Sequence, residues 1–326
     1  MEVIVQAKDL RKYFQVERGF LRKRMGFIKA VDGVSLEIRK GEVLGLVGES
    51  GCGKTTVAKL LLNLIKPDEG KVRIGGVDVS EKYGARDLKK KAQIIFQDPY
   101  GSLNPRMKVK DIILEGVDIF KLYSRDAKEK RLKELLNVVG LPYYAKDKYP
   151  HQFSGGERQR IGIARALSVE PEFIVCDEPV SSLDISIRAQ ILNLLKDLQE
   201  NFSLSYLFIS HDLNVVRYIS DRIAVMYKGK IVEEAESSKL YDEPYHPYTR
   251  YLLSANLSAK PSQRFKKLVY EVIEKEVKDE KKGCVFYPSC PVSRDICQEV
   301  SPPLKEVEPS HYVACHFIRG NPLRDK

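Results

Sequence analysis

The chain has 326 residues, long enough for a full α/β core with a smaller appended domain. Its hydrophobic content of 43% is that of a globular protein, and no apolar run approaches the roughly 20 residues needed to span a bilayer. The net charge of +10 favours phosphate-bearing ligands, nucleic acid or anionic lipid headgroups, or else marks a well-solvated Lys-rich surface. The opening MEVIVQAKDL has no basic region leading into an apolar core, so no signal peptide is expected and the cytoplasm, or the cytoplasmic face of a membrane, is the expected location. Six cysteines in such a chain are not expected to form structural disulfides.

Residues 1–40 alternate apolar and polar around Val3-Ile4-Val5 and again at Val34, Leu36 and Ile38. That predicts an antiparallel sheet with one solvated face. Tyr13 and Phe14 either stack on a ligand ring or pack the sheet. Arg18–Lys29 mixes five basic residues with Phe20, Leu21, Met25, Phe27 and Ile28, either a contact for a membrane surface or partner protein or a solvated loop.

The apolar run Val43–Val47 reads as a strand buried on both faces, and Val57 to Ile65 as a buried helix ending near Pro67. Between them lies Gly48-x-x-x-x-Gly53-Lys54-Thr55, a complete P-loop pattern. Strand, glycine loop and helix start place backbone N–H groups and the positive end of the helix dipole around a triphosphate. Gly48, Ser50, Gly51, Cys52, Gly53 and Thr56 would shape this cradle, Lys54 would reach the β- and γ-phosphates, and the Thr55 hydroxyl would ligate Mg²⁺.

Further along, Val72–Ile74 and Ala92–Phe96 read as strands, the second running into Gln97, placed either to reach a metal or water beside the γ-phosphate or to cap the strand end. Residues 107–150 are helical in character. Ser154-Gly155-Gly156-Glu157 then opens another helix, as an anion-binding nest or as a plain N-cap. Phe173–Cys176 is a second buried strand, ending in Asp177-Glu178. Adjacent strand residues point to opposite sides, so Asp177 can hold the Mg²⁺ shell while Glu178 polarises an attacking water. Asp184 precedes an amphipathic helix with Ile187, Ile191, Leu194, Leu195 and Leu198 on one stripe. Tyr206–Ile209 is a third buried strand, leading to His211, and Arg222–Tyr227 a fourth. Gln97, Asp177, Glu178 and His211 thus gather at the carboxyl ends of parallel strands, where ligands bind in open α/β sheets.

This order of motifs resembles the ATP-binding subunits of ABC transporters over residues 1 to about 240. The P-loop, Gln97, the signature Ser154–Glu157, Phe173–Glu178, Asp184 as the D-loop and the switch histidine His211 all match. QDPYGSLNPR, DEPVSSLDI and EPYHPYTRYLLSA narrow the resemblance to the oligopeptide/dipeptide importers, most like their F-type subunit. The resemblance implies an α/β fold with a P-loop (RecA-like) core sheet, an N-terminal antiparallel β-subdomain, a helical insertion at about 98–153 and a small C-terminal metal-bound domain at 241–326. It implies an ATPase in which Glu178, His211 and Gln97 are catalytic, Thr55, Gln97 and Asp177 serve Mg²⁺, and Phe14, with Tyr13 as the fallback, stacks on adenine. Two ATPase domains would pair head to tail, so that Ser154–Glu157 closes over the partner's ATP. The implied partners are a homologous ATPase subunit in a heterodimer, two integral permease subunits and, indirectly, an extracellular solute-binding protein, with no nucleic acid. The alternatives are import of oligosaccharides or nickel by the same machinery, or a soluble ABC ATPase uncoupled from transport. Glu157 stands where the commonest signature has glutamine, and a carboxylate near a triphosphate weakens its attraction.

Residues 265–282 are charge-rich with weak alternation, helix or strand. Cys284, Cys290, Cys297 and Cys315 follow, and four cysteines in about thirty residues suggest a metal centre. Tetrahedral thiolate ligation suits Zn²⁺ or an iron–sulfur cluster. The C-x₂-C knuckles common in zinc sites are missing, and the resemblance implies a [4Fe-4S] cluster; four unligated thiols are the third reading. His311 and His316 flank the last cysteine as substitute ligands.

Overall fold

The computed structural model describes residues 2–18, 23–80, 85–256 and 283–318. The basic segment Arg18–Lys29 lies partly, and 265–282 wholly, outside the described residues. The chain begins with β1 (Val3–Arg18) and β2 (Lys23–Arg39), then β3 (Val43–Val47), α1 (Lys54–Leu61), β4 (Glu69–Ile74) and β5 (Val77–Asp78). Strands β2-β1-β4-β5, in that order, form the antiparallel sheet. Its alternation is the expected one: Val34, Leu36 and Ile38 are buried while Ser35 and Glu37 face out. Helix α1 stops short of the expected Ile65. Asn63 takes a left-handed φ of 52°, and the N–H groups of Asn63 and Leu64 turn back to the carbonyls of Leu60 and Lys59. This is a Schellman closure, which ends a helix whatever the hydrophobic residues beyond it.

Next come α2 (Ala85–Lys91), β6 (Ala92–Ile95), α3 (Val109–Phe120), α4 (Arg125–Val138), α5 (Gly155–Leu167), β7 (Phe173–Asp177), α6 (Ile185–Phe202), β8 (Ser205–Ser210), α7 (Leu213–Ile219) and β9 (Arg222–Tyr227). In the second sheet β9, β3, β8, β7 and β6 lie side by side and parallel. Side chains alternate between two cores. Ile174 and Cys176 of β7 join the α5–α6 side with Tyr206 and Phe208 of β8. Phe173, Val175, Leu207 and Ile209 join α1 and the antiparallel sheet. A strand buried on both faces must be apolar throughout, as Val43–Val47 is. Helices α3 and α4 bury Val109, Ile112, Ile113, Leu132, Leu135 and Leu136 in the first core.

The chain ends with β10 (Lys230–Glu236), α8 (Ser237–Asp242), α9 (Pro247–Asn256), α10 (Asp295–Glu299), β11 (Lys305–Glu308) and β12 (His311–Val313). β12 pairs with β10 and β11 with β12, so the C-terminal hairpin extends the core sheet. A buried carboxylate makes the junction: Glu233 accepts from the N–H of Tyr245 (2.7 Å) and of His246 (2.9 Å) and lies 2.7 Å from His311 Nε2. A buried charge is tolerable only when so satisfied. Among the described residues, no helix is long and apolar enough to cross a membrane.

The expected metal-bound C-terminal domain is not seen as such. Among the described residues, no group of three or more His, Cys, Asp or Glu side chains could hold a metal ion. The four cysteines are neighbours, with the Cys284 N–H on the Cys297 carbonyl at 2.8 Å. Burial, reinforced by the other cysteines, pushes the Cys290 thiol up to about 12. Burial also raises Cys284 and Cys315.

The buried His246 makes stability depend on pH. Burial holds its imidazole at about 4, against 6.5 in the open chain, with Glu233 opposing that shift and Arg250 assisting it. As pH falls through 6.5 the unfolded chain binds a proton that the folded chain refuses, so stability declines until about pH 4, by about 2 kcal/mol at pH 5. In urea melts between pH 7 and pH 5, His246→Gln should lose this part of the slope; an identical slope in wild type and variant would show that His246 does not carry it.

Candidate active site

Four segments converge on one cleft at the carboxyl ends of the parallel strands. It is lined by Gly48–Gly51, Gly53–Thr56, Gln97, Glu178 and His211, with Ala30, Leu213 and Leu252. Its volume, about 620 Å³, is in the range of small-molecule sites, roughly 300–1,000 Å³. The P-loop backbone can close only because two positions lack side chains. A Cβ on Gly48 (φ 153°) would stand 2.1 Å from the Met226 carbonyl, and one on Gly53 (φ 113°) would stand 2.0 Å from that of Ala30.

The Lys54 ammonium is buried and bridges the loop, donating to Gly48 O at 2.7 Å and Glu49 O at 2.9 Å. Cys52 lies beneath the loop, not in the cleft lining; its Sγ is 3.7 Å from Lys54 Nζ, and burial raises its thiol. The Thr55 hydroxyl donates to Asp177 Oδ1 at 3.3 Å. Burial pushes the Asp177 carboxyl up while the Thr55 bond pulls it down. Mg²⁺ in nucleotide sites takes one or two protein oxygens plus phosphates and water, so Thr55 and Asp177 fit that ion.

Glu178 follows β7 in a left-handed conformation, φ 48°, unusual for a residue other than glycine and typical of functional strain. Its N–H donates to Ile209 O at 3.0 Å. Its carboxylate is 3.1 Å from His211 Nδ1 and accepts from Gln97 Nε2 at 3.2 Å. Three strand ends therefore hold one acid between an amide and an imidazole, above the Thr55–Asp177 pair.

The remaining expected site residues lie elsewhere. Tyr13 donates its hydroxyl to Asp32 Oδ1 at 2.7 Å, and burial with that bond pushes its phenol up to about 12. Phe14 is the more exposed ring, 42% accessible; neither aromatic is in the cleft lining. Ser154–Glu157 is also outside the cleft. Ser154 caps α5: its Oγ accepts the Glu157 N–H, and the Glu157 carboxylate turns back to the Ser154 N–H at 2.9 Å. Those bonds hold the Glu157 carboxyl below its usual range. Asp184 caps α6, accepting from Ile187 N–H at 3.0 Å and from the Ser186 hydroxyl. Capping keeps its carboxyl low. Ser154, Gly155 and Asp184 are exposed together with Ile185, which is 84% accessible. Glu49, Ala30, Leu213 and Leu252 line the cleft without having been expected. Only Glu49 had a signal, as part of the loop pattern; Leu252 lies in EPYHPYTRYLLSA, whose pattern says nothing of the cleft.

The ABC transporter family profile matches residues 31–181, and that of the oligopeptide/dipeptide transporter C-terminal region matches 232–297. The chain is 48% identical to the oligopeptide transport ATP-binding protein AppF of Bacillus subtilis, over 97% of this chain and 98% of that one. It is 46% identical to the putative peptide import ATP-binding protein BOV_A0347 of Brucella ovis, over 98% of both chains. Among solved structures, the dimeric post-hydrolysis state of the ATP-binding cassette MJ0796 bound to ADP and Pi matches with a TM-score of 0.63 and 28% identity. That match covers 72% of this chain and 99% of the cassette.

The start of α5 sits directly on α6: a Cβ on Gly156 would meet Ile187 Cγ2 at 2.4 Å. Gly156→Ala should therefore cost about 1–3 kcal/mol of stability, the usual cost of overpacking. Urea denaturation measures it; an unchanged midpoint would mean that α6 yields freely.

Proposed function

Because this chain belongs to the ATP-binding subunits of oligopeptide/dipeptide ABC transporters, we propose that its cleft is half of a composite ATPase site. The chain is an ATPase that powers peptide import. The single observation that carries the proposal is the bridging of Glu178 by Gln97 and His211 beside the P-loop. In this reading Lys54 and the loop N–H groups bind the phosphates. Thr55 and Asp177 receive Mg²⁺, with Gln97 beside them, and Glu178 takes the proton of the attacking water. His211 orients that carboxylate, and Phe14 stacks on the base. The bound Mg²⁺ would supply charge neutralisation between the phosphates.

The cleft has no residue of Ser154–Glu157 in its lining, while Ser154 and Gly155 of that segment are exposed, as are Asp184 and Ile185. That is the arrangement expected if a second, homologous ATPase subunit supplies the missing signature and receives this one. MJ0796, described as dimeric with ADP and Pi, is consistent with the pairing. Phe96 and Tyr100, 40% and 65% exposed on either side of Gln97, suit docking of two permease subunits at the cytoplasmic face of the membrane. A solute-binding protein would be engaged only through them. Residues 1–240 would be the ATP-binding unit, with 98–153 its helical insertion and 241–326 the appended region.

The test is Glu178→Gln in the assembled transporter. ATP binding should persist, steady-state hydrolysis should fall by roughly 10²–10⁴-fold, and the paired, ATP-bound state should accumulate. Near-normal phosphate release would sink the role of Glu178.

The finer part of the same reading is a [4Fe-4S] centre at Cys284, Cys290, Cys297 and Cys315. Its support is the gathering of four cysteines in one lobe; no step of hydrolysis runs through it. Anaerobically purified protein should then be brown, with about four irons per chain. Colourless protein with four titratable thiols and an intact fold would remove the cluster.

A further inference from the structure

Helix α9 belongs to the C-terminal part of the chain, yet it reaches the nucleotide cleft twice. Leu252 lines the cleft, and the Tyr248 hydroxyl oxygen accepts the backbone N–H of Glu49 at 3.0 Å. That N–H belongs to the Gly48–Glu49 peptide, whose carbonyl oxygen, Gly48 O, accepts from Lys54 Nζ at 2.7 Å. One peptide plane at the start of the P-loop is thus held from both edges, by Tyr248 at the N–H and by Lys54 at the C=O. Gly48 has no side chain to restrain it, so the orientation of this plane depends on those two bonds. Lys54 is the group that must turn to an arriving phosphate. The Tyr248 bond makes no such competing demand.

The Tyr248 ring is fully buried and its position is fixed from behind. Its centroid lies 4.5 Å from that of Tyr227 and 5.5 Å from that of Phe286. Phe286, 3% exposed, stands edge-on to Tyr227 at 5.2 Å and 5.7 Å from the His246 ring. In sequence Phe286 lies between Cys284 and Cys290. A single aromatic cluster therefore runs from the cysteine lobe to the first peptide of the P-loop.

We propose that Tyr248 is a positioning residue for the ATP site, and that the cysteine lobe, acting through Phe286, sets how firmly the P-loop is held for a nucleoside triphosphate. This rests on the reading of Gly48–Thr56 as the ATP-binding loop. Loss of the hydroxyl frees the peptide to turn when Lys54 leaves it. Ground state and transition state then lose the same binding contribution, which raises KM and leaves kcat.

The experiment is ATPase kinetics on the assembled transporter carrying Tyr248→Phe, Phe286→Leu or both. Tyr248→Phe should raise KM for ATP about three- to tenfold, the loss of one hydrogen bond. Its kcat should stay within about twofold, and its Tm should fall by no more than about 2–4 °C, the cost of one hydrogen bond. Phe286→Leu should raise KM in the same direction, and the double variant should exceed Tyr248→Phe only slightly, because the two act on one contact. Tyr245→Phe, whose hydroxyl bonds Glu308 instead, should leave KM at the wild-type value. An unchanged KM in Tyr248→Phe, or one that moves only together with kcat, overturns the positioning role. A shift in Tyr248→Phe with none in Phe286→Leu overturns the part assigned to the cysteine lobe. If the wild-type transporter neither binds nor hydrolyses ATP, the reading of the loop itself has failed, an outcome distinct from both.

Discussion

Burial of the parallel sheet on both faces is the constraint from which the rest follows. Strands β3, β7 and β8 have no side chain turned to water along their length, so polar chemistry is excluded from the sheet itself. It is permitted only where strands end, and the parallel arrangement puts those ends on one edge. Gln97, Glu178 and His211 follow the ends of β6, β7 and β8, and Asp177 is the last residue of β7. The P-loop occupies the corresponding place after β3. Helix α1, the antiparallel sheet, α5 and α6 supply the cover that makes such a sheet stable, and so they fix where these polar side chains stand.

The elements that could be read from the sequence were those whose rule is local. Val43–Val47, Phe173–Cys176 and Tyr206–Ile209 stand out because strands buried twice are apolar at every position. The P-loop stands out because its spacing is set by a single turn, and Ser154 and Asp184 because a helix start needs a short polar acceptor. What the sequence hid was set by remote contact. The end of α1 depends on the left-handed Asn63, while the hydrophobic pattern runs on to Ile65. Tyr248 and Glu49 are 199 positions apart, and neither segment carries a mark of the other. The cysteine spacing predicts a metal centre, but spacing along a chain does not show the burial that raises the thiols of Cys284, Cys290 and Cys315. The dual reading of Tyr13 and Phe14 has a similar cause: neighbours on a strand take opposite faces, and only the Tyr13–Asp32 bond tells which ring is committed to the sheet.

Electrostatics sorts the acidic residues into distinct states. Glu157 and Asp184 are held low by the N–H groups they cap, so a carboxylate in the signature position is already engaged within its own helix. Asp177 is pushed the other way by burial, and a cation beside it would relieve that penalty. Glu233 remains buried through three neighbouring donor groups, joining β10 to the segment just before α9 and to β12.

The place of β11 and β12 has a consequence for synthesis of the chain. β10 pairs with β9 on one side and with β12 on the other, but its second partner leaves the ribosome about eighty residues after it. Until then β10 is a bare strand edge beside an otherwise complete sheet, open to another chain. The finished edge is β11, four residues reading KEVE, short and charged in the way natural sheets discourage pairing. A chain broken off before Val313 would keep every ATPase motif and still expose that edge. Its failure would appear first as aggregation during translation.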